Sequence, residues 1–460
     1  MSRRTMALFI AAALVSTAMP STAGALDKAP KDPDYAVAED TLPFAAAPGH
    51  PDSTRLWGVL QGAGYRVEVP ADWNGRLVMW AHGFVSGDQT ELKFGAETFD
   101  PGFRLWLLDH RYAWAASTYA KNGYQVAQGV KDTHALAERF NGLVGHPDQV
   151  FIVGGSMGGH VTAVSAEQFP KSYVGAMPVC GVLGDHELFD FYLDFNVAAQ
   201  QLALGESEFP VADPVTYIFG TAQEIKAGLE AVPGGWPLAL NPTGLAFKQL
   251  VELRSGGDRP NFDAAWYFWN TFPSFGSGIP GNFLFDLGSL DGTNPGRPGI
   301  GVDNTDTVYQ MDLDPALSPA EEQLNADITR VAADPSAINP NGLSNVPVTT
   351  GDLHIPMLTL HNLGDLFVPF LNEVVYAQRV AAKGNSGNLV QRAIRGVNHC
   401  GFTTSELVSA FADLVAWVED GTVPAGDVVA DPSVVAAPDY GCTFTDFGTP
   451  GGHLLAEPCP

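Results

Sequence analysis

Ser156 is the residue of this sequence best placed to act as a nucleophile. It sits in Gly154-Gly155-Ser156-Met157-Gly158-Gly159, directly after the β-branched and aromatic run Gln149-Val150-Phe151-Ile152-Val153. A helix-forming stretch, His160 to Gln168, follows. Strand, tight G-x-S-x-G turn and helix, in that order, lift a serine hydroxyl above a sheet edge. Strand and helix nearly touch at such a turn, so small neighbours are needed. Gly154 and Gly158 supply them, and Gly155 and Gly159 are expected to loosen the fit further. The bare pattern arises easily in a chain with 50 glycines, so the flanking elements carry the inference.

A serine hydroxyl becomes a good nucleophile only when a base takes its proton and an acid orients the base. The C-terminal half offers both, in the chain order Ser, Asp, His. Pro356 to Asn362 reads as a buried strand and runs into Leu363-Gly364-Asp365. A helical stretch from Leu371 to Lys383 comes next, then a strand from Asn388 to Ile394, then Arg395-Gly396-Val397-Asn398-His399-Cys400. Asp365 and His399 therefore each fall in the loop after a strand's C-terminal end, where open α/β sheets carry their chemistry. Taken singly, Asp365 reads as a turn or cap aspartate and His399 as a loop histidine. Their order and placement make them the expected acid and base.

Other residues fit less well. His361 lies inside a strand, His134 on a helix face and His160 on the helix after the serine, while Asp185, next to His186, is the reserve acid. The strand Arg76 to Ala81 ends in His82-Gly83-Phe84. A backbone N–H from this loop, that of Phe84, is expected to join the N–H of Met157 in holding a developing oxyanion. His82 itself is expected to be structural.

In this order, His82-Gly83, the Gly154 to Gly158 elbow, Gly364-Asp365 and Asn398-His399-Cys400 resemble the α/β-hydrolase superfamily. The resemblance spans about 45–180 and 350–425. It implies an α/β fold with a mostly parallel central sheet flanked by helices, and Ser156, Asp365 and His399 as catalytic residues. Within that superfamily the chain is similar to secreted bacterial serine hydrolases of esterase-like or prolyl-oligopeptidase-like character. Tannases and feruloyl esterases place paired cysteines beside the catalytic serine and histidine. Cys400 follows His399 in that manner, but Gly155 precedes Ser156, which departs from their pattern.

The elements that must position these residues divide the chain. Arg3 and Arg4, an apolar run from Met6 to Met19 and Ala23-Gly24-Ala25 make 1–25 a signal peptide cut after Ala25, so the protein is expected to be secreted, extracellular or periplasmic. An extended lead-in occupies 26–55. The core is expected at 56–180 and 351–425, with a helix over Val126 to Leu143, and a C-terminal tail at 426–460. Between the half-cores, 181–350 is too long for a crossover connection and is expected to form an inserted cap or lid. The cap is rich in aromatic residues, among them Phe191, Phe195, Trp266, Trp269 and Phe275. Most are expected to fill the cap's own core and a minority to line a substrate pocket.

Four cysteines in an exported chain favour two disulfides, with three possible connectivities. Cys442 and Cys459 share the tail. Cys180 ends the strand Val174 to Val179, and its loop should meet that of Cys400. The alternative for Cys180 and Cys400 is two free buried thiols. A net charge of −27 argues against nucleic acid and anionic lipid as partners. Asp303-Asn304-Thr305-Asp306 and Asp312-Leu313-Asp314 are acid-rich, but their spacing is not that of a helix-loop-helix calcium site, and turn acids are the expectation. No dinucleotide fingerprint, P-loop or His-Glu-x-x-His is present, so neither cofactor nor metal is expected.

The sequence thus points to a serine hydrolase that cleaves carboxylic esters through an acyl-enzyme, with a small-molecule or oligomeric substrate that is bulky or aromatic. A prolyl-oligopeptidase-like exopeptidase or amidase would use the same three residues. An acyltransferase would admit an alcohol in place of water, and a non-catalytic ligand-binding member of the fold would predict a damaged triad.

Overall fold

The apolar runs of both halves of the chain meet in one twisted sheet. In a computed structural model, residues 33–95, 100–272, 277–289, 299–338 and 346–460 are described. The expected signal segment 1–25 and Phe275 lie outside them.

The strands are β1 (Ala36–Val37), β2 (Thr54–Leu60), β3 (Ala63–Val69), β4 (Arg76–Ala81), β5 (Glu91–Leu92), β6 (Ala113–Ser117), β7 (Gln149–Gly155), β8 (Gly175–Val179), β9 (Met357–Asn362) and β10 (Leu389–Ile394). Eight of them form the sheet in the order β2-β3-β6-β4-β7-β8-β9-β10, while β1 and β5 pair separately. β3 runs antiparallel to β2 and β6, and the pairings from β6 through β4 to β10 are parallel. Gln61 and Gly62, both at positive φ, close the β2–β3 hairpin in two residues.

The helices in chain order are α1 (Pro101–Asp109), α2 (Val126–Leu143), α3 (Met157–Gln168), α4 (Glu187–Leu204), α5 (Pro214–Thr216), α6 (Ala222–Leu229), α7 (Pro242–Arg254), α8 (Phe262–Thr271), α9 (Phe283–Gly288), α10 (Pro319–Asp327), α11 (Leu371–Ala382), α12 (Thr404–Asp420) and α13 (Pro432–Val435). The central strands are apolar on both faces because both are covered. Val78, Trp80, Phe151 and Val153 pack with Phe103 and Leu107 of α1 and Phe411 and Leu414 of α12. Their alternates Leu77, Met79 and Ile152 pack with Leu136 and Phe140 of α2 and Tyr376 and Val380 of α11. No helix of the described residues is long and apolar enough to cross a membrane.

Helices α4 to α10 fill the stretch between β8 and β9. Phe191, Phe195, Tyr217, Trp266 and Trp269 are buried in a cluster of their own, while Phe219 and Tyr267 are exposed. Leu366 and Val368, which follow Asp365, belong to the same cluster. The core of helices α4 to α10 is therefore continuous with the loop after β9.

The C-terminal residues are less tail-like than their glycine and proline content implies. The backbone N–H of Asp427 donates to Gln391 O at 2.7 Å, and its carboxylate accepts from Ala393 N at 2.8 Å. Those bonds cover the open edge of β10, which would otherwise offer unpaired backbone groups to another chain. Arg395, fully buried, donates to the carbonyls of Tyr440, Pro458 and Pro438. Disulfides join Cys180 to Cys400 and Cys442 to Cys459.

Candidate active site

Register brings the candidate residues to one edge. Ala81 of β4 lies beside Gly154 of β7, Gly155 beside Val179 of β8, Val179 beside Leu360 of β9, and Asn362 beside Ile394 of β10. All these strands run the same way. Their following loops, which carry Phe84, Ser156, Cys180, Asp365 and His399, therefore emerge side by side.

Ser156 occupies a conformation that an L-residue adopts only under constraint, with φ 59° and ψ −125°. Such a residue costs roughly 1–3 kcal/mol, and its surroundings must over-determine it. They do. Ser156 N–H donates to Val179 O at 3.1 Å, and Ser156 O accepts from Gly159 N at 2.8 Å. α3 starts at Met157, three residues earlier than the sequence suggests, because the turn leads into it without a spacer. Gly158 and Gly159 are thus first-turn residues. A Cβ on Gly158 would land on the carbonyl oxygen of Ala81, one on Gly154 on the carbonyl of Gly158, and one on Gly159 on the backbone of Gly181. Gly155 differs. A Cβ there would meet Val179, Cys180 and Cys400 only at 3.6–3.9 Å, ordinary contact distances. Three of the four glycines are sterically required and the fourth is not.

The structure brings together the three residues the sequence singles out. Ser156 Oγ lies 2.8 Å from His399 Nε2, and His399 Nδ1 lies 2.6 Å from Asp365 Oδ2. With Nδ1–H donating to the carboxylate, Nε2 is left to accept the serine proton. The other Asp365 oxygen accepts from Phe367 N and Val368 N, each at 2.9 Å, and the carboxylate is fully buried. These bonds fix it in one orientation. Phe367 also packs edge-on against the His399 ring, centroids 4.9 Å apart.

The His82-Gly83-Phe84 loop lies against the serine. A Cβ on Gly83 would sit 3.4 Å from Ser156 Cβ. His82 Nδ1 is 2.7 Å from Gly83 O, and its ring stacks on Tyr119 at 3.9 Å. The histidine thus shapes the loop. Among the described residues, neither Phe84 N–H nor Met157 N–H has a hydrogen-bond partner.

The competing residues point elsewhere. Asp185 accepts from Arg379, from Thr349 N at 2.9 Å and from His186 N at 2.6 Å, so it belongs to a structural ion pair. His361 bonds Val368 O at 2.7 Å and Glu373 at 3.3 Å inside the sheet. His160 bonds Tyr124 Oη at 3.1 Å and Pro347 O at 2.7 Å. Burial pushes its imidazole down to about 4. Asp303, Asp312 and Asp314 each accept from a backbone N–H two residues on, the geometry of turn acids. Cys180, His399 and Cys400 present three possible ligand atoms close together, but both sulfurs are committed to the disulfide and only a thiolate ligates a metal.

Cys180 and Cys400 both stand at positive φ, 45° and 53°, as does Ser156. The bridge thus joins the strained loop beside the serine to the strained residue after the histidine. Phe367 and, packed on it with ring centroids 6.4 Å apart, Trp269 are neighbours that the sequence reading does not single out. Phe367 was findable as the residue two past the acid. Nothing in the sequence marks Trp269 among so many cap aromatics.

The sheet order, the strained serine turn and the Ser156–His399–Asp365 chain together have the arrangement of an α/β-hydrolase fold. No family model matches the chain. It is 23% identical over 412 residues to o-phthalyl amidase of Xanthobacter agilis, covering 79% of this chain and 86% of that one. Feruloyl esterase B of Aspergillus oryzae superposes with a TM-score of 0.42 at 15% identity, over 82% of this chain and 81% of that chain. Candida antarctica lipase A gives 0.39 at 15% identity, over 86% and 81%. Similarity at this level leaves the substrate open.

Proposed function

We propose that the protein is a secreted serine hydrolase that cleaves carboxylic esters, with Ser156 as nucleophile, His399 as general base and acid, and Asp365 as its orienting carboxylate. The observation that carries this reading is the unbroken chain Ser156 Oγ–His399–Asp365, at 2.8 and 2.6 Å. His399 Nε2 takes the hydroxyl proton as Ser156 Oγ bonds to the acyl carbon. The N–H groups of Phe84 and Met157 receive the negative charge that develops on the carbonyl oxygen, each worth about 3 kcal/mol to the transition state. The imidazolium, held by Asp365, then protonates the departing alcohol. Water repeats the sequence to release the acid.

Aromatic side chains at the site favour a bulky or aromatic acyl group. Phe367 faces His399, and Phe283 packs on Phe367 with centroids 5.0 Å apart. The relative's name favours a second reading, an amidase that acts on an aromatic acyl amide with the same residues. Two disulfides support an oxidising destination for the protein, and N-terminal sequencing of the mature chain checks cleavage after Ala25.

The test is intact mass after exposure to a fluorophosphonate, run beside Ser156→Ala and a panel of p-nitrophenyl esters and aromatic amides. One adduct that the substitution removes, with ester turnover far above amide turnover, supports the first reading. The same adduct with amide turnover dominant supports the second. A native protein that takes up no adduct sinks both.

A further inference from the structure

The cap helix α8 reaches the catalytic loops through one atom. Trp269 Nε1–H donates to two carbonyls at once, Gly364 O at 2.9 Å and Val397 O at 3.0 Å. Gly364 immediately precedes Asp365, and Val397 stands two residues before His399. The indole is buried and wedged among Phe268, Phe272, Phe283 and Phe367, so its N–H has no freedom to turn away.

Other bonds converge on the same junction. Gly364 N–H donates to Gly396 O at 2.8 Å, joining the two loops directly. A Cβ on Gly364 would press within 2.8 Å of Val397 Cα and 3.0 Å of Ala265 Cβ, so acid loop, histidine loop and α8 touch at one glycine. Asn261, one residue before α8, donates from Nδ2 to Gly396 O at 2.8 Å. It is in turn held by Glu457, whose carboxylate accepts from Asn261 N and whose own N–H donates to Asn261 Oδ1, both at 2.9 Å.

We infer that Trp269 is a positioning residue for the proposed serine hydrolase, a role that rests on that reading. Its shared indole N–H fixes the spacing of the Asp365 and His399 loops, and α8 is part of the catalytic scaffold rather than of a lid that swings clear. A carboxylate and an imidazole on separate loops keep a 2.6 Å bond only if the loops keep their separation, and small misplacements of such groups cost rate steeply.

The experiment compares Trp269→Phe with Trp266→Phe in the full-length protein. Trp266 lies on the same helix, is equally buried, and donates its indole N–H to Pro237 O at 3.0 Å, wholly within the cap. Each variant loses one buried indole donor, so the loss of stability is comparable. Trp269→Phe is expected to lower kcat on a p-nitrophenyl ester, and the second-order rate of fluorophosphonate labelling, by about ten- to a hundredfold with KM little changed. Trp266→Phe moves neither. Asn261→Gly, which keeps the φ of 74° while removing the side-chain bond to Gly396 O, is expected to show the same signature more weakly, and decides the matter if Trp269→Phe does not fold. Equal kcat and equal labelling rates in the two tryptophan variants overturn the inference. So do an unchanged kcat and labelling rate in Asn261→Gly where Trp269→Phe is not obtained. Native protein that labels normally while Trp269→Phe behaves as Trp266→Phe separates failure of this inference from failure of the serine-hydrolase reading.

Discussion

At the residue scale, what distinguishes Asp365 from the other acidic residues of the chain is that every bond to its buried carboxylate serves orientation. Replacing it with asparagine keeps the shape and removes the charge. Asp365→Asn is expected to lower kcat by about 10⁴-fold while leaving KM and the thermal midpoint close to native, read by steady-state kinetics and calorimetry. The asparagine amide can donate to His399 and so favours the wrong tautomer. That His399 and Ser156 meet was legible because chemistry restricts the residue types and chain order that such a candidate pair can take. The rejection of Asp185 was not legible. Only its pairing with Arg379, from a helix nearly two hundred residues away, removes it from the list of acids.

At the scale of elements, α3 does two jobs. Its start presents Ser156, and its first turns bury His160 between Tyr124 and the Pro347 carbonyl. The folded chain resists protonating this imidazole until about pH 4, because burial disfavours the cation. An unfolded histidine takes its proton near pH 6.5. In that window the unfolded state binds more protons, so stability is full above about pH 6.5 and is lost as pH falls toward 4, by up to about 3 kcal/mol. Thermal midpoints measured between pH 7 and 4.5 should fall, and His160→Gln should show a shallower fall. An unaltered slope would mean that other groups govern acid unfolding. The strand ends were legible to within two or three residues, since β-branched runs bounded by glycine leave few alternatives. The start of α3 was not, because Gly158 and Gly159 look like turn residues until the close approach of Ala81 and Gly181 requires them inside a helix.

For the molecule as a whole, the two disulfides have different tasks. Cys442–Cys459 closes a loop of 17 residues over the segment that Arg395 grips, and so fastens the covering of the β10 edge. Its removal by a double Cys→Ser substitution is expected to lower unfolding free energy by about 3 kcal/mol, measured by denaturant titration. Cys180–Cys400 spans 220 residues and links the two half-cores beside the site. Reduction there should lower activity before it unfolds the protein, and coincident loss of both would count against a positioning role for the bridge.

The sequence by itself determined the α/β class and the tight turn at Ser156, and it singled out Asp365 and His399, which the fold brings beside that serine. Those follow from local physics, from side-chain period along strands, the small residues a tight turn needs, and the few groups able to move a proton. Tertiary structure alone decided that Asp185 serves an ion pair, that Gly155 is the dispensable glycine of the elbow, and that the C-terminal residues sheathe an edge strand. It alone placed the Trp269 N–H between the loops that carry Asp365 and His399. Each of these is a contact between segments far apart in the chain, set by how closed surfaces pack, and no periodicity or motif records it.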